Sequence, residues 1–171
     1  MKLAPAIPLV AAIALAACAA PSTPAASEIA LVASTHASDA PPRVPTRCTQ
    51  HEFGLIGEGD VVRVQRSDGV VLERPGGMQS YVPVGLGCAQ TSGGDEYLVV
   101  QYGEVPLGCK VCEWVFVYDH AGRPMHDSVP AFWGQGDSLA PNNAGYARVS
   151  QELGLQRPRI EYDETRRVTI D

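Results

Sequence analysis

The sequence predicts a mainly β protein: a single small antiparallel β domain, a sandwich or partly open barrel, with one short helix. Three observations carry that reading. Residues 61–66 and 70–73 alternate apolar and polar side chains around a Ser-Asp-Gly turn. Residues 97–102 and 114–118 are apolar on both faces at strand length. One stretch, near 142–154, has helical spacing. With 171 residues and a formal net charge of -6, the chain has room for little more than one domain. That composition excludes a basic nucleic-acid binder, a collagen-like repeat and a polytopic membrane protein.

The chain begins Met1-Lys2 and continues as an apolar run from Leu3 to Ala17, interrupted by Pro5 and Pro8. A transmembrane helix needs roughly 20 apolar residues, so the run is short for a span and suits a secretory signal. It closes on Leu15-Ala16-Ala17-Cys18. These residues resemble the lipobox of bacterial lipoproteins cleaved by signal peptidase II. The resemblance implies a diacylglyceryl group on Cys18, cleavage before it and acylation of the new amino terminus. Several chains together anchor firmly, since each buried methylene contributes about 0.8 kcal/mol. Ala19, where an Asp would retain such a lipoprotein elsewhere, implies sorting to the outer membrane.

Residues 18–47 read as the lipidated cysteine and a disordered Ala/Pro/Ser tether, because few side chains there bury enough area to offset ordering. A coil of this length spans roughly 30 Å, more with its prolines. The signal is thus 1–17, the tether 18–47 and the β-rich domain 48–171.

Within the domain, register decides the first hairpin. A two-residue Asp-Gly loop would pair Val64 with Glu73 and mix the faces. The three-residue loop Ser67-Asp68-Gly69 pairs Val64 with Leu72 and puts Val62, Val64, Val70 and Leu72 on one side. Arg63 then stands opposite Glu73 on the wet side. Residues 97–102 and 114–118 are expected as interior strands, and Asp119-His120-Ala121-Gly122 as a turn leading to a strand near 124–128. The helix should start at Asn142 or Asn143, present Tyr146, Val149 and Leu153 on one face and stop at Gly154. A C-terminal hairpin should pair 159–162 with 167–170, with Asp163 opposite Arg167. The glycine groups 76–77, 85–87 and 93–94 read as loops between strands.

Four cysteines remain besides Cys18: Cys48, Cys88, Cys109 and Cys112. In an oxidising compartment two disulfides are expected, and the favoured pairing is Cys109 with Cys112 and Cys48 with Cys88. A redox reading of Cys109-Lys110-Val111-Cys112 is disfavoured because a Trp-Val-Phe-Val-Tyr strand follows where a helix would be needed. A four-cysteine zinc site needs two close pairs, and only one exists. Asp119-His120 and His126-Asp127 flank a turn and could converge on a metal, but without any established ligand spacing. No metal or other cofactor is therefore expected. Nor is an enzyme: the chain has no Gly-x-Ser-x-Gly elbow, no His-Glu-x-x-His helix and no Gly-Lys phosphate loop.

The expected function is binding. From residue 48 onward 17 acidic face 10 basic residues, a net of -7, which favours solubility and faster association with a cationic protein partner. The irregular run 129–141 carries the candidate partner contacts Phe132, Trp133, Gln135 and Asp137, although Trp133 could equally plug the base of the sheet. The general plan resembles that of periplasmic lysozyme-inhibitor and toxin-immunity lipoproteins. That likeness implies an outer-membrane lipoprotein facing the periplasm, held to the membrane by lipid, that inhibits an envelope-acting enzyme. The competing readings are a structural or assembly lipoprotein and a redox or metal protein.

Overall fold

The computed structural model describes residues 41–58, 61–104, 113–127 and 130–166. Cys18, the signal and most of the tether, Cys109 and Cys112, and the expected strand 167–170 lie outside them.

The first strands are short and alternate buried with exposed residues. Strands β1 (Arg43–Cys48), β2 (His51–Ile56) and β3 (Arg63–Arg66) form an antiparallel sheet in that order. The fold thus begins at Arg43, upstream of the boundary expected at Cys48. Arg43 carries the reason: its Nε donates to Asp163 Oδ2 at 2.8 Å and its Nη2 to the Gly57 carbonyl at 2.8 Å. Asp163 is only 2% exposed, and Thr165 Oγ1 also donates to it. Its expected neighbour Arg167 lies outside the described residues.

After β3 the chain reverses through the three-residue loop. Gly69 sits at φ 89°, Arg66 N donates to Val70 O at 2.8 Å and Leu72 N to Val64 O at 2.9 Å. The register is the expected one, but the returning arm is a single bridge, Gln65 with Val71, rather than a strand. Val62, Val64 and Leu72 are buried, whereas Val70 beside the loop is exposed. Glu73 leaves the hairpin, its N–H donating to Gly122 O at 3.2 Å, and no ion pair forms with Arg63.

The second sheet contains β4 (Val82–Gln90), β5 (Glu96–Gly103), β6 (Glu113–Tyr118) and β9 (Glu161–Tyr162), in the order β6-β5-β4-β9. Strands β7 (Phe132–Trp133) and β8 (Ala140–Pro141) make a separate hairpin, followed by helix α1 (Ala144–Leu153). Register places Leu86, Val100 and Phe116 in one row across the second sheet, beside the rows of Leu98 with Tyr118 and Tyr102 with Trp114. These side chains share one core with Cys48, Leu55, Val62, Val64 and Leu72 of the first sheet and its hairpin. The fold is a small antiparallel β domain of separate sheets, not a closed barrel. The Cys48–Cys88 disulfide joins β1 to β4.

Strand β5 is interior, as expected. Strand β6 is buried on both faces but has no strand on its outer side among the described residues, and other groups cover that edge. Tyr118 bridges Pro124 and Met125 N donates to Val117 O at 2.9 Å. The expected strand near 124–128 is reduced to that bridge within the described residues.

One reading of the sequence is corrected here. Gly85 and Gly87 belong to the middle of β4, not to a loop. A Cβ on Gly85 would stand 2.6 Å from Ile160 Cγ2, and one on Gly87 2.5 Å from the Arg159 carbonyl oxygen. The glycines therefore form a notch into which the segment after α1 lies. That segment follows β4 through Gln156 N to Gln90 O (2.8 Å), the β9 pairs Leu86–Glu161 and Gly85–Tyr162, and Asp163 N to Val84 O (3.0 Å). Residues 161–162 pair with β4, and Glu164–Arg166 form a 3-10 turn at the position of the expected C-terminal hairpin loop, whose expected partner strand 167–170 lies outside the described residues. Helix α1 ends at Gly154 in the left-handed region (φ 63°), as its sequence predicts. No helix among the described residues is long and apolar enough to cross a membrane.

Two stability measurements test these assignments. Gly87→Ala should lower unfolding stability by about 1–3 kcal/mol, as overpacking against backbone does, while Gly93→Ala should stay within about 0.5 kcal/mol because its Cβ meets only ordinary contact distances. Arg43→Ala should cost about 2–4 kcal/mol by taking the guanidinium from a buried carboxylate, and a chain begun at Cys48 should show a comparable loss in urea.

Candidate functional site

Residues 130–143 build the most exposed apolar surface of the second sheet's side. Phe132 pairs with Pro141 and Trp133 with Ala140. The turn between them needs glycine: Gly134 lies at φ 82°, where a Cβ would stand 2.4 Å from the Ser138 carbonyl oxygen. The 3-10 turn Gly136–Ser138 closes it, with Ser138 Oγ donating to Gln135 O at 2.8 Å. At its base Asn142 N donates to Ala131 O at 2.8 Å, and the Phe132 ring lies edge-on 5.5 Å from Trp114. Trp114 is fully buried and tilted against Tyr81, so it is Trp114 that fills the core. Trp133 is 60% exposed and Phe132 46%, with Leu139 beside them at 36%. Gln135 and Asp137 are exposed on the same turn. All the expected contact residues thus share one short hairpin.

Asn143 ties this hairpin and α1 to the sheet. It is the first-turn cap position, but its side chain does not cap the helix; Asn142 Oδ1 takes the Ala144 N–H at 3.1 Å. Asn143 Oδ1 instead accepts from Val115 N at 2.8 Å, and Nδ2 donates to Glu113 O at 3.1 Å. One side-chain amide therefore occupies the place of a neighbouring strand's peptide on the β6 edge.

Behind the helix is a cleft of about 400 Å³ lined by Tyr146, Arg157 and Ile160 over a polar floor. Its floor is Gln101, buried in mid-strand, whose amide donates to Glu113 Oε2 and accepts from Tyr162 Oη at 3.0 Å. These groups bond one another, so the floor presents little unspent capacity to a ligand. The sequence signal for it was a single glutamine inside the apolar run Leu-Val-Val-Gln-Tyr, which passed as part of an interior strand.

His126 stacks on Phe116, with ring centroids 4.9 Å apart, and burial lowers its pKa. His120 lies over Tyr97 at 5.2 Å. Burial pushes Asp119 upward, but hydrogen bonds from Arg123 outweigh it and the carboxyl ends below its ordinary value. Among the described residues, the one cluster of His, Cys, Asp and Glu within common metal reach is Cys48, Cys88 and Glu96, and its two sulfurs are bonded to each other. The Asp119-His120 and His126-Asp127 pairs do not form such a cluster. Cys109 and Cys112 lie outside the described residues, and Glu113, which follows them, begins a strand.

Two phenols are buried together: Tyr102 Oη and Tyr118 Oη are 2.9 Å apart, and Tyr118 donates to Glu73 O at 2.8 Å. Desolvation pushes Tyr102 up to about 12 and raises Tyr118 as well, so neither is activated as a base. Comparison with protein-family models, with characterised proteins and with solved structures returned no match to this chain.

The tyrosine pair predicts a pH dependence. An unfolded tyrosine ionises near 10.0, whereas Tyr102 keeps its proton to about 12. Their contribution to stability is therefore complete below pH 10 and is lost as pH rises towards 12. Phenolate absorbance should show these two of the six tyrosines ionising only with unfolding.

Proposed function

We propose that this chain is a lipid-anchored, periplasm-facing outer-membrane lipoprotein whose β domain binds a protein partner without catalysing a reaction. The observation that supports it is the pair Phe132 and Trp133, displayed on a hairpin that is braced from below by Trp114. Exposed tryptophan on a braced support costs little entropy to bind with, and Trp is enriched among residues that dominate interface energy. The lipobox-like residues before and at Cys18 supply the anchor in this reading, and residues 19–42 the reach. From Arg43 onward the domain carries 17 acidic and 12 basic residues, a net of -5, which favours a cationic partner, and an envelope-acting lytic or toxic enzyme is the narrower form of the proposal.

Photo-crosslinking in intact cells, from a reactive residue at Gln135, tests the contact. A discrete protein adduct that is lost in Trp133→Ala, with unfolding stability unchanged, is the expected result, corresponding to a weakening of about tenfold or more. An adduct indifferent to Trp133→Ala and Phe132→Ala would remove the hairpin from the interface. Cys18→Ser should release the chain from the membrane fraction without altering binding by the purified protein. An assembly role would show instead as co-purification with a membrane complex.

A further inference from the structure

A second cleft, of about 420 Å³, opens beside β3 and reaches Tyr102 of β5. Its lining mixes apolar and polar groups: Val64 and Leu72 are buried there, Val61 and Val71 stand 58% and 41% exposed at the mouth, and Gln79 and Tyr102 complete it. Its charged lining is Arg63 and Arg74. Six other arginines each hold a carboxylate, whereas these two, like the exposed Arg157, form no ion pair among the described residues. The departure of Glu73 from the hairpin explains Arg63, since its expected partner turns toward Gly122. Arg74 is half-buried, and only backbone carbonyls engage it: Nη2 donates to Val62 O at 2.8 Å and Nη1 to Gln79 O at 3.2 Å.

Two like charges lining one cleft repel each other, and a half-buried guanidinium without an anion has lost hydration that no counter-charge replaces. In a domain that carries a net charge of -5 from Arg43 onward, no carboxylate among the described residues pairs with either arginine. A guanidinium has five N–H groups, so Arg74 keeps donors beyond the two engaged, and Arg63 brings all of its own. The volume lies in the range of small-molecule sites, where apolar walls and a few charged groups fix orientation.

We propose that this cleft binds a small apolar carboxylate, its anionic end between Arg63 and Arg74 and its hydrocarbon part against Val61, Val64, Val71 and Leu72. The proposal is independent of the hairpin interface, which shares no residue with this cleft. The probe is 3-phenylpropionate, measured by equilibrium dialysis against the purified full chain, with 3-phenylpropionamide and inorganic phosphate as comparators. Saturable one-to-one binding is expected, with the amide about tenfold weaker for want of a charged hydrogen bond. Phosphate should compete poorly, lacking an apolar part. Arg63→Gln changes an exposed side chain and should weaken the probe about fivefold, while Val71→Asp should abolish binding by placing a like charge on the wall. Both variants should keep the parent's urea midpoint, which separates loss of binding from loss of fold. No saturable binding, equal binding of acid and amide, phosphate competing as well as the acid, or indifference to both substitutions would each overturn the proposal.

Discussion

A sheet that is apolar on both faces has to be covered twice, and that requirement organises this domain. Strands β4, β5 and β6 bury Leu86, Val100 and Phe116 on one side and Val99 and Val117 on the other. The first cover is the sheet of β1 to β3 with its hairpin. The second cover comes from elements too short to stand alone: one helix of ten residues and the segment that follows it. Both are held by polar groups at the sheet's edges. Asn143 bonds β6, while Gln156, Glu161, Tyr162 and Asp163 run along β4. Burial supplies the drive for such packing, but it is nondirectional; the edge hydrogen bonds decide where the second cover lies.

The strands that alternate or run apolar were legible because side-chain period reports the faces directly. The loop register at Ser67–Gly69 was legible for the same reason, since only one loop length keeps Val62, Val64 and Leu72 together. What escaped was long-range. Gly85 and Gly87 look like loop residues until Ile160, more than seventy positions later, is known to lie across them. Arg43 looks like part of a proline-rich tether until Asp163 receives it. Asn143 looks like a helix cap because local spacing cannot show that β6 has a bare edge within its reach. In each case the local pattern had two physical outcomes, and a distant residue chose between them.

For function, composition set the search and geometry narrowed it. Phe132 and Trp133 were ambiguous between core and contact; the position of Trp114 in the core leaves Trp133 outside. On the floor of the cleft behind α1, Gln101, Glu113 and Tyr162 answer one another. The two arginines do not have that closure, and that difference separates a structural network from a site with unspent charge.

The Cys48–Cys88 bridge has a mechanical consequence. Any pull on the chain upstream of residue 41 enters the domain at Arg43, where β1 is paired with β2 in the geometry of a zipper. Such a load can open pairs one at a time from Arg43–Leu55 to Cys48–His51. At Cys48 it meets a covalent link to the central strand of the larger sheet, and the force passes to β4. From that point the load is shared across the hydrogen bonds of β4 with β5 and β9 instead of falling on one pair. Tension from that side can fray six residues and then has to work against the whole sheet.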